Sequence, residues 1–253
     1  MKKLLIIGAG HIGEGLSRYL SLAVPSTPLL LHELLHHTDD WKSKVLKGKP
    51  VLVVNAAGLT GEKKCESTGE IATMNANVDF AYDVMQAACR VGARCVQIST
   101  GAVYAPPSKT PKRESDALYA PNLYVESKIR MEHACCGSDT VIFRVSNVIG
   151  DGSHPNDYKN RIKGWSWVAD TYVSTLSVST FVEVLVRLMN NYENEPVSGI
   201  FNIADPGFKH LPSYARRFHE TPVEMREVDA LPARASLSHI LDPTLAEMKG
   251  LLQ

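Results

Sequence analysis

Six apolar runs of strand length, KLLIIG, PLLLHE, VLVVNAAG, RCVQIST, TVIFRV and GIFNIA, are spaced along the chain. Between them lie stretches such as GEGLSRYLSL, NVDFAYDVMQAACRVG, YVESKIRMEHAC and STFVEVLVRLMNNY, in which apolar residues recur every three or four positions. The first pattern is that of a strand buried on both faces, the second that of a helix with one apolar stripe. A strand without polar alternation needs cover on both sides, and a chain that alternates strand and helix supplies it by laying helices over both faces of a parallel sheet. The reading is therefore α/β. The alternation weakens after Gly150, where DGSHPNDYKNRIKGWSWVADTYVS and the stretch from Pro206 onward are richer in Pro, His, Arg and aromatic residues. Residues 1–150 are expected to form the regular domain. Residues 151–253 are expected to be a mixed segment that completes the sheet and forms a small C-terminal lobe.

At 253 residues and 44% hydrophobic composition, the chain can bury one large core with an annex. Lysine plus arginine and aspartate plus glutamate both number 27, so no overall field favours nucleic acid or an anionic membrane, and the expected partner is a small molecule. The five cysteines, Cys65, Cys89, Cys95, Cys135 and Cys136, are odd in number and lack Cys-x-x-Cys spacing. That usage points to reduced thiols in a cytoplasmic protein and away from a structural metal. MKKLLII starts like an export signal, but its apolar run stops at Gly8 after four residues, and no other run reaches membrane-spanning length.

LLIIGAGHIGEGL places Gly8, Gly10 and Gly13 directly after the first strand and at the start of a helix. This is the context of a dinucleotide-binding loop, in which Gly8 makes the tight turn, Gly10 admits a pyrophosphate and Gly13 lets the helix pack on the strand. The amides around His11 and Ile12 then face the phosphates from the helix N-terminus. The fold expected is a Rossmann-type doubly wound parallel sheet. About 20 residues on, an acid at the tip of the second strand should accept the ribose hydroxyls. Glu33 in that place favours NAD, whereas His32 there tolerates a 2′-phosphate and NADP, so the cofactor is NAD or NADP, with the acid weighing towards NAD. Asn55, Ala56, Ala57 and Gly58 end the third strand with small residues over which an adenine ribose can lie. Asn75 opens the next helix, as its N-cap or as a residue of the site.

RCVQISTGAVY is a buried strand that ends in the hydroxyls of Ser99 and Thr100, at the sheet edge where ligands bind in this architecture. Twenty-four residues after Thr100 comes Tyr124, one helical turn before Lys128. With nine tyrosines and fifteen lysines, about 0.5 Tyr-x-x-x-Lys pairs are expected by chance, so the pair acquires meaning only from its setting. A phenol with its ordinary pKa of about 10 is a poor acid–base group, and a nearby ammonium favours the phenolate. Lys128 can supply that charge and hold the nicotinamide ribose, Tyr124 can pass the proton, and Thr100 can orient the substrate oxygen.

The glycine loop, STGAVY and YVESK, taken in order, make the sequence similar to the extended short-chain dehydrogenase/reductase superfamily, which includes the NAD-dependent sugar epimerases and dehydratases. VLVVNAAGLTGEKKCESTGEIATMNANVD and LPARASLSHILDPTLAEMKG resemble segments of the dTDP-4-dehydrorhamnose reductases, and FRVSNVIG and GIFNIAD resemble the later strands of the superfamily. The resemblance implies Thr100, Tyr124 and Lys128 as a catalytic triad with Asn75 beside the cofactor. It also places Thr100, Ala102, Arg144 and Asn147 near the substrate; in the small C-terminal substrate-binding lobe, the residues Lys159, Arg161 and Lys163 themselves suggest an anion site on an extended segment. Gly101 and Ala102 stand where the dehydratases carry an Asp-Glu pair and where epimerase-reductases carry a cysteine, which leaves carbonyl reduction, alcohol oxidation or 4-epimerisation. A non-catalytic NAD(P)-binding regulatory subunit is the alternative of another class, favoured by the short segment between Gly150 and Val173. Relatives pair the two long helices as a homodimer.

Overall fold

Because the core strands are apolar without interruption, alternate residues of each strand enter different cores. In β1 (Lys2–Ile7), Leu4 and Ile6 pack with Leu16, Leu20, Phe181 and Leu185, while Leu5 and Ile7 pack with Trp41, Val45, Val84 and Met85. The computed structural model describes residues 2–23, 30–104, 110–137, 140–190, 197–219, 224–227, 241–243 and 251–252. Helix α1 (His11–Ala23), β2 (Leu30–Leu35), α2 (Trp41–Gly48) and β3 (Leu52–Asn55) follow β1, and then come α3 (Glu62–Thr68), α4 (Glu70–Met74), a π turn (Asn75–Asp79) and α5 (Phe80–Arg90). Next are β4 (Arg94–Thr100), α6 (Leu123–Cys135), β5 (Thr140–Val145), β6 (Val148–Ile149), α7 (Tyr158–Lys163), β7 (Trp167–Ala169), β8 (Tyr172–Val173) and β9 (Leu176–Ser177). The described chain continues with α8 (Val178–Asn190), β10 (Gly199–Ile203), β11 (Lys209–His210), α9 (Leu211–Ala215) and β12 (Glu224–Arg226).

Six strands form one parallel sheet in the order β10-β5-β4-β3-β1-β2, so the chain builds outward from β1 to β2 and then crosses to β3 on the other side. The crossing opens a crevice at the C-terminal ends of β1 and β3, the place where doubly wound sheets take ligands. Helices α1 and α8 contribute to one core, and α2, α5 and α6 to the other.

A smaller cluster of Tyr158, Ile162, Val168, Val173, Leu211, Tyr214 and Ala215 forms a separate hydrophobic core, with the rings of Tyr158 and Tyr214 stacked at 6.2 Å. The chain's departure point towards it is fixed by the buried carboxylate of Asp157, whose Oδ2 accepts from the amides of Gly150 (2.7 Å) and Gly152 (3.1 Å). The same side chain caps α7 by accepting from the Lys159 amide. Most of the closing segment LPARASLSHILDPTLAEMKG lies outside the described residues, apart from 241–243. No helix among the described residues is long and apolar enough to cross a membrane.

Candidate active site

The crevice is floored by two turns in contact. Gly8 has φ 110°, and a Cβ there would lie 2.4 Å from the Ala57 nitrogen. A Cβ on Gly13 would lie 1.9 Å from the Gly8 carbonyl oxygen, so only glycine lets α1 start this close to the turn. Gly10 differs: nothing lies within 4 Å of its Cβ position, and a side chain would fill the space beside the loop. The first helical bond beyond the loop runs from the Glu14 amide to the Gly10 carbonyl at 2.9 Å, which leaves the amides of His11, Ile12 and Gly13 ahead of the helical ladder. Three amides at a helix N-terminus beside a glycine that leaves space open fit a dinucleotide pyrophosphate. The side chains of His11 and Ile12 serve the fold. His11 Nε2 lies 3.1 Å from the Val148 carbonyl and its ring 5.2 Å from that of His154, with burial lowering its pKa, while Ile12 packs on the core.

Two cofactor expectations are corrected. Strand β2 runs past Glu33 and His32 to Leu35, because Leu35 is buried against the core that holds Trp41 and Val45. Glu33 pairs in mid-strand with Leu5, and its carboxylate meets Lys44 at 2.8 Å and Lys3 at 3.4 Å. The hydrogen bond from Lys44 is the main cause that holds its carboxyl below the usual range. His32 lies 3.3 Å from the Ser21 hydroxyl of α1, again short of the strand tip. Residues His36 to Asp39 occupy the tip, where the Asp39 carboxylate accepts from the His36 amide at 2.7 Å.

Asn75 is the second correction. The helical stretch begins well before it, so it is no N-cap, and it is exposed, with its flipped amide within reach of Ile71 and Asp79. Asn77 is the asparagine of the site. It is buried, its Oδ1 accepts from the Leu59 amide (2.7 Å), and its Nδ2 donates to the Leu59 carbonyl (3.0 Å) and to Ser127 Oγ (2.8 Å). It lies in the π turn, a local widening that recurs at functional sites. Spacing would have found it, since Asn77 stands four and seven residues before the buried Ala81 and Val84, whereas the same steps from Asn75 reach Asp79 and Tyr82 on the exposed side. Asn55 and Ala57 hold the neighbouring turn. The Asn55 amide donates to Gln97 Oε1 at 2.8 Å, its Oδ1 accepts from the Ala57 amide at 3.1 Å, and the Ala56 amide donates to Ile7. At Gly58 a Cβ would press on Asn77 Oδ1 at 2.8 Å.

Thr100, Tyr124 and Lys128 come together at the C-terminal end of β4. Asn122 caps α6 by accepting from the Val125 amide at 3.1 Å, which sets Tyr124 in the first turn and Lys128 one turn on. The Tyr124 hydroxyl stands beside Thr100, close enough for that side chain to favour the phenolate. Burial raises the phenol's pKa, and Thr100 and the Arg161 charge oppose that rise. Lys128 is 8% exposed, and its ammonium donates to the Ile98 carbonyl at 3.0 Å and lies 3.6 Å from the Cβ position of Gly58. Burial brings its pKa down to about 8, against the opposing charge of Glu132. The ammonium expected to act on the phenol thus faces the Gly58 turn, while the charge of Arg161 favours the Tyr124 phenolate. Ala102, whose amide donates to Thr100 Oγ1 at 3.2 Å, packs with Tyr124 around Leu241.

The other substrate expectations separate. Arg144 is 2% exposed and grips Glu132 with two bonds, Nε to Oε1 at 3.0 Å and Nη2 to Oε2 at 2.7 Å, so it cannot reach a ligand in the crevice. Burial works against this cation, but the hydrogen bonds and charge of Glu132 outweigh it and lift its pKa. Asn147 turns the chain with φ 50° and donates its amide to the Ser174 carbonyl at 2.8 Å. Lys159, Arg161 and Lys163 lie on helix α7 and not on an extended segment, which keeps Lys159 and Lys163 on one face and turns Arg161 to the other. Lys159 donates to the Gly150 carbonyl at 2.9 Å, while the charge of Arg161 is felt at Tyr124 and at His11.

The chain is 31% identical over 157 residues to the spore coat polysaccharide biosynthesis protein SpsK of Bacillus subtilis, a match that covers 60% of this chain and 55% of that one. It therefore matches only about half the length of that relative. It is 26% identical over 260 residues to dTDP-4-dehydrorhamnose reductase of Escherichia coli K12, covering 93% of this chain and 85% of the other. The fold is shared with the crystal structure of dTDP-4-dehydrorhamnose reductase from Bacillus anthracis in complex with NADP, with a TM-score of 0.77, 19% identity and cover of 100% and 94% of the two chains. The model of the NAD dependent epimerase/dehydratase family matches residues 5–166, which contain the glycine loop, the strand that ends at Thr100 and the helix that carries Tyr124 and Lys128. The chain belongs to the NAD-dependent epimerase/dehydratase family, and its cofactor is NAD or NADP.

Proposed function

We propose that this protein is an NAD(P)-dependent reductase or dehydrogenase acting on a carbonyl or alcohol carbon of a sugar-nucleotide-like substrate. The observation that carries the reading is the convergence of Thr100 and Tyr124 at the end of β4, with the buried ammonium of Lys128 one turn away beside Gly58. In this reading the amides of His11 to Gly13 hold the pyrophosphate and Lys128 holds the nicotinamide ribose. When bound, the nicotinamide supplies or takes up hydride. Tyr124 gives a proton to the substrate oxygen on reduction or removes one on oxidation, and Thr100 holds that oxygen against the phenol. Burial keeps the phenol protonated, as a proton donor requires, while Thr100 and Arg161 stabilise the phenolate left after transfer. The Arg161 charge also gives a diphosphate a cation from the lobe side. Relatives named dTDP-4-dehydrorhamnose reductase support a sugar nucleotide as the substrate class.

The test is a panel of dTDP- and UDP-sugars assayed with NADH and NADPH. Stoichiometric loss of cofactor absorbance marks a reductase, whereas conversion of sugar without that loss marks a 4-epimerase. Tyr124→Phe should lower turnover by about 10² to 10⁴, the usual contribution of a positioned acid–base group, with cofactor affinity retained. Full turnover in that variant removes Tyr124 from the chemistry. A homodimer through α5 and α6 belongs to the same reading. Exposed Tyr82 on α5 supports it, and the mass in solution at micromolar concentration tests it.

A further inference from the structure

Arg144 and Glu132 are an ion pair in a place where an ion pair is poorly motivated by stability. Both side chains are almost wholly buried, and apolar residues of similar volume in such positions are often as stable or more so. The pair is also the centre of a longer polar chain. On one side, Glu132 lies one turn beyond Lys128 on α6, and its Oε1 accepts from Ser99 Oγ at 2.5 Å, the residue next to Thr100. On the other side, Arg144 Nη1 donates to Tyr104 Oη at 3.0 Å and to the Glu114 carbonyl at 3.1 Å. The Tyr104 hydroxyl, pushed up to about 12 mainly by burial, donates to Asn202 Oδ1 at 2.6 Å.

Asn202 carries the connection to two further segments, one of which reaches the cluster around Tyr124. Its Nδ2 donates to the carbonyls of Lys112 (2.8 Å) and Asp242 (3.3 Å), and its amide donates to the Glu114 carboxylate (2.7 Å). The Asp242 amide closes the strap by donating to the Lys112 carbonyl at 2.8 Å. Leu241 of the same strap packs in the cluster that includes Ala102 and Tyr124. Every member of the chain is bonded on both sides, the condition under which a buried network fixes a single arrangement.

We propose that Arg144 is a positioning residue that couples the α6 turn bearing Lys128 to the strap of residues 112–114 and 241–242 beside Tyr124. It sets where Lys128 and Thr100 stand through Glu132 and Ser99, and where the strap stands through Tyr104 and Asn202. The charged group acting on Lys128 is Glu132 of its own helix, since burial pushes the neighbouring thiols of Cys65 and Cys135 up and keeps them neutral where Lys128 titrates. Removing the Glu132–Arg144 pair therefore takes away a carboxylate that favours the ammonium.

The inference rests on the proposed reading of Lys128, and two variants of the whole chain test it. Tyr104→Phe keeps the ion pair and the direct bond from Arg144 to the Glu114 carbonyl, and cuts the arm that reaches the strap through Asn202. Amide hydrogen exchange in residues 110–119 and 241–243 should rise by about tenfold, with exchange in α6 and NADPH affinity unchanged. Glu132→Gln combined with Arg144→Met removes both charges together, which avoids leaving one buried and unpaired. In that double variant the alkaline limb of NADPH affinity should move down by at least about half a pH unit. A part that is merely structural leaves the limb in place. Unchanged exchange of the strap in Tyr104→Phe, or an unmoved limb in the double variant, overturns the proposal. If the wild-type protein shows no alkaline limb, the reading of Lys128 itself fails, and the coupling of Arg144 to it falls with that reading.

Discussion

Replacing Lys128 by methionine removes an ammonium whose burial brings its pKa from 10.5 down to about 8. At about 1.4 kcal/mol per unit, the folded protein at neutral pH carries about 3 kcal/mol of unfavourable charge burial. Because the folded pKa is below the unfolded one, the unfolded chain holds more protons between pH 8 and 10.5, and stability rises with pH across that window. For one such group, about 2 kcal/mol of the burden is relieved between about pH 7 and 9.5. The bond to the Ile98 carbonyl is lost in the variant at every pH, at a cost of about 1 kcal/mol, so the slope is more informative than the absolute difference. The assay is urea unfolding of wild type and Lys128→Met at several pH values, taking the difference so that other titrating groups cancel. The advantage of methionine should shrink by about 2 kcal/mol from pH 7 to 9.5. A difference that stays constant with pH refutes the assignment of a strained buried ammonium. Ribose hydroxyls that accept from this ammonium favour its charged form, so NAD(P) affinity should fall as pH rises above 8, and Lys128→Met should lack that fall.

Three further outcomes follow from the same geometry. Gly10→Val should weaken dinucleotide binding by about two orders of magnitude in a fluorescence titration and leave the melting temperature nearly unchanged, because its Cβ meets nothing in the protein. Asn77→Ala should cost about 2–4 kcal/mol in denaturant unfolding through three lost hydrogen bonds, while Asn75→Ala stays within about 0.5 kcal/mol of wild type. Glu33→Gln should leave the ratio of NAD to NADP affinity within about twofold, since the carboxylate is paired with Lys3 and Lys44; a tenfold change would show that it reaches the ribose.

What the sequence determined by itself was whatever local periodicity and steric necessity control. Uninterrupted apolar runs could be satisfied only inside a covered parallel sheet, and Gly8 and Gly13 announced the first turn because their neighbours leave no room for a Cβ. Tyr124 and Lys128 were legible as a pair because one helical turn fixes their spacing, with Asn122 as the cap that starts the turn. The tertiary structure decided everything that depends on where an element ends and which face it buries. Glu33 looked like a strand-tip acid until the burial of Leu35 carried β2 two residues further. The spacing of Asn77 to Ala81 and Val84 marks it as the buried asparagine of the two, but its partners Leu59 and Ser127 were decided by the packing. Arg144 had the residue type of a ligand-binding cation, yet its side chain leaves β5 on the face covered by α6, where Glu132 meets it. Side chains from β4, β5 and α6 converge there although they are far apart in the chain, and no window of sequence holds that distance.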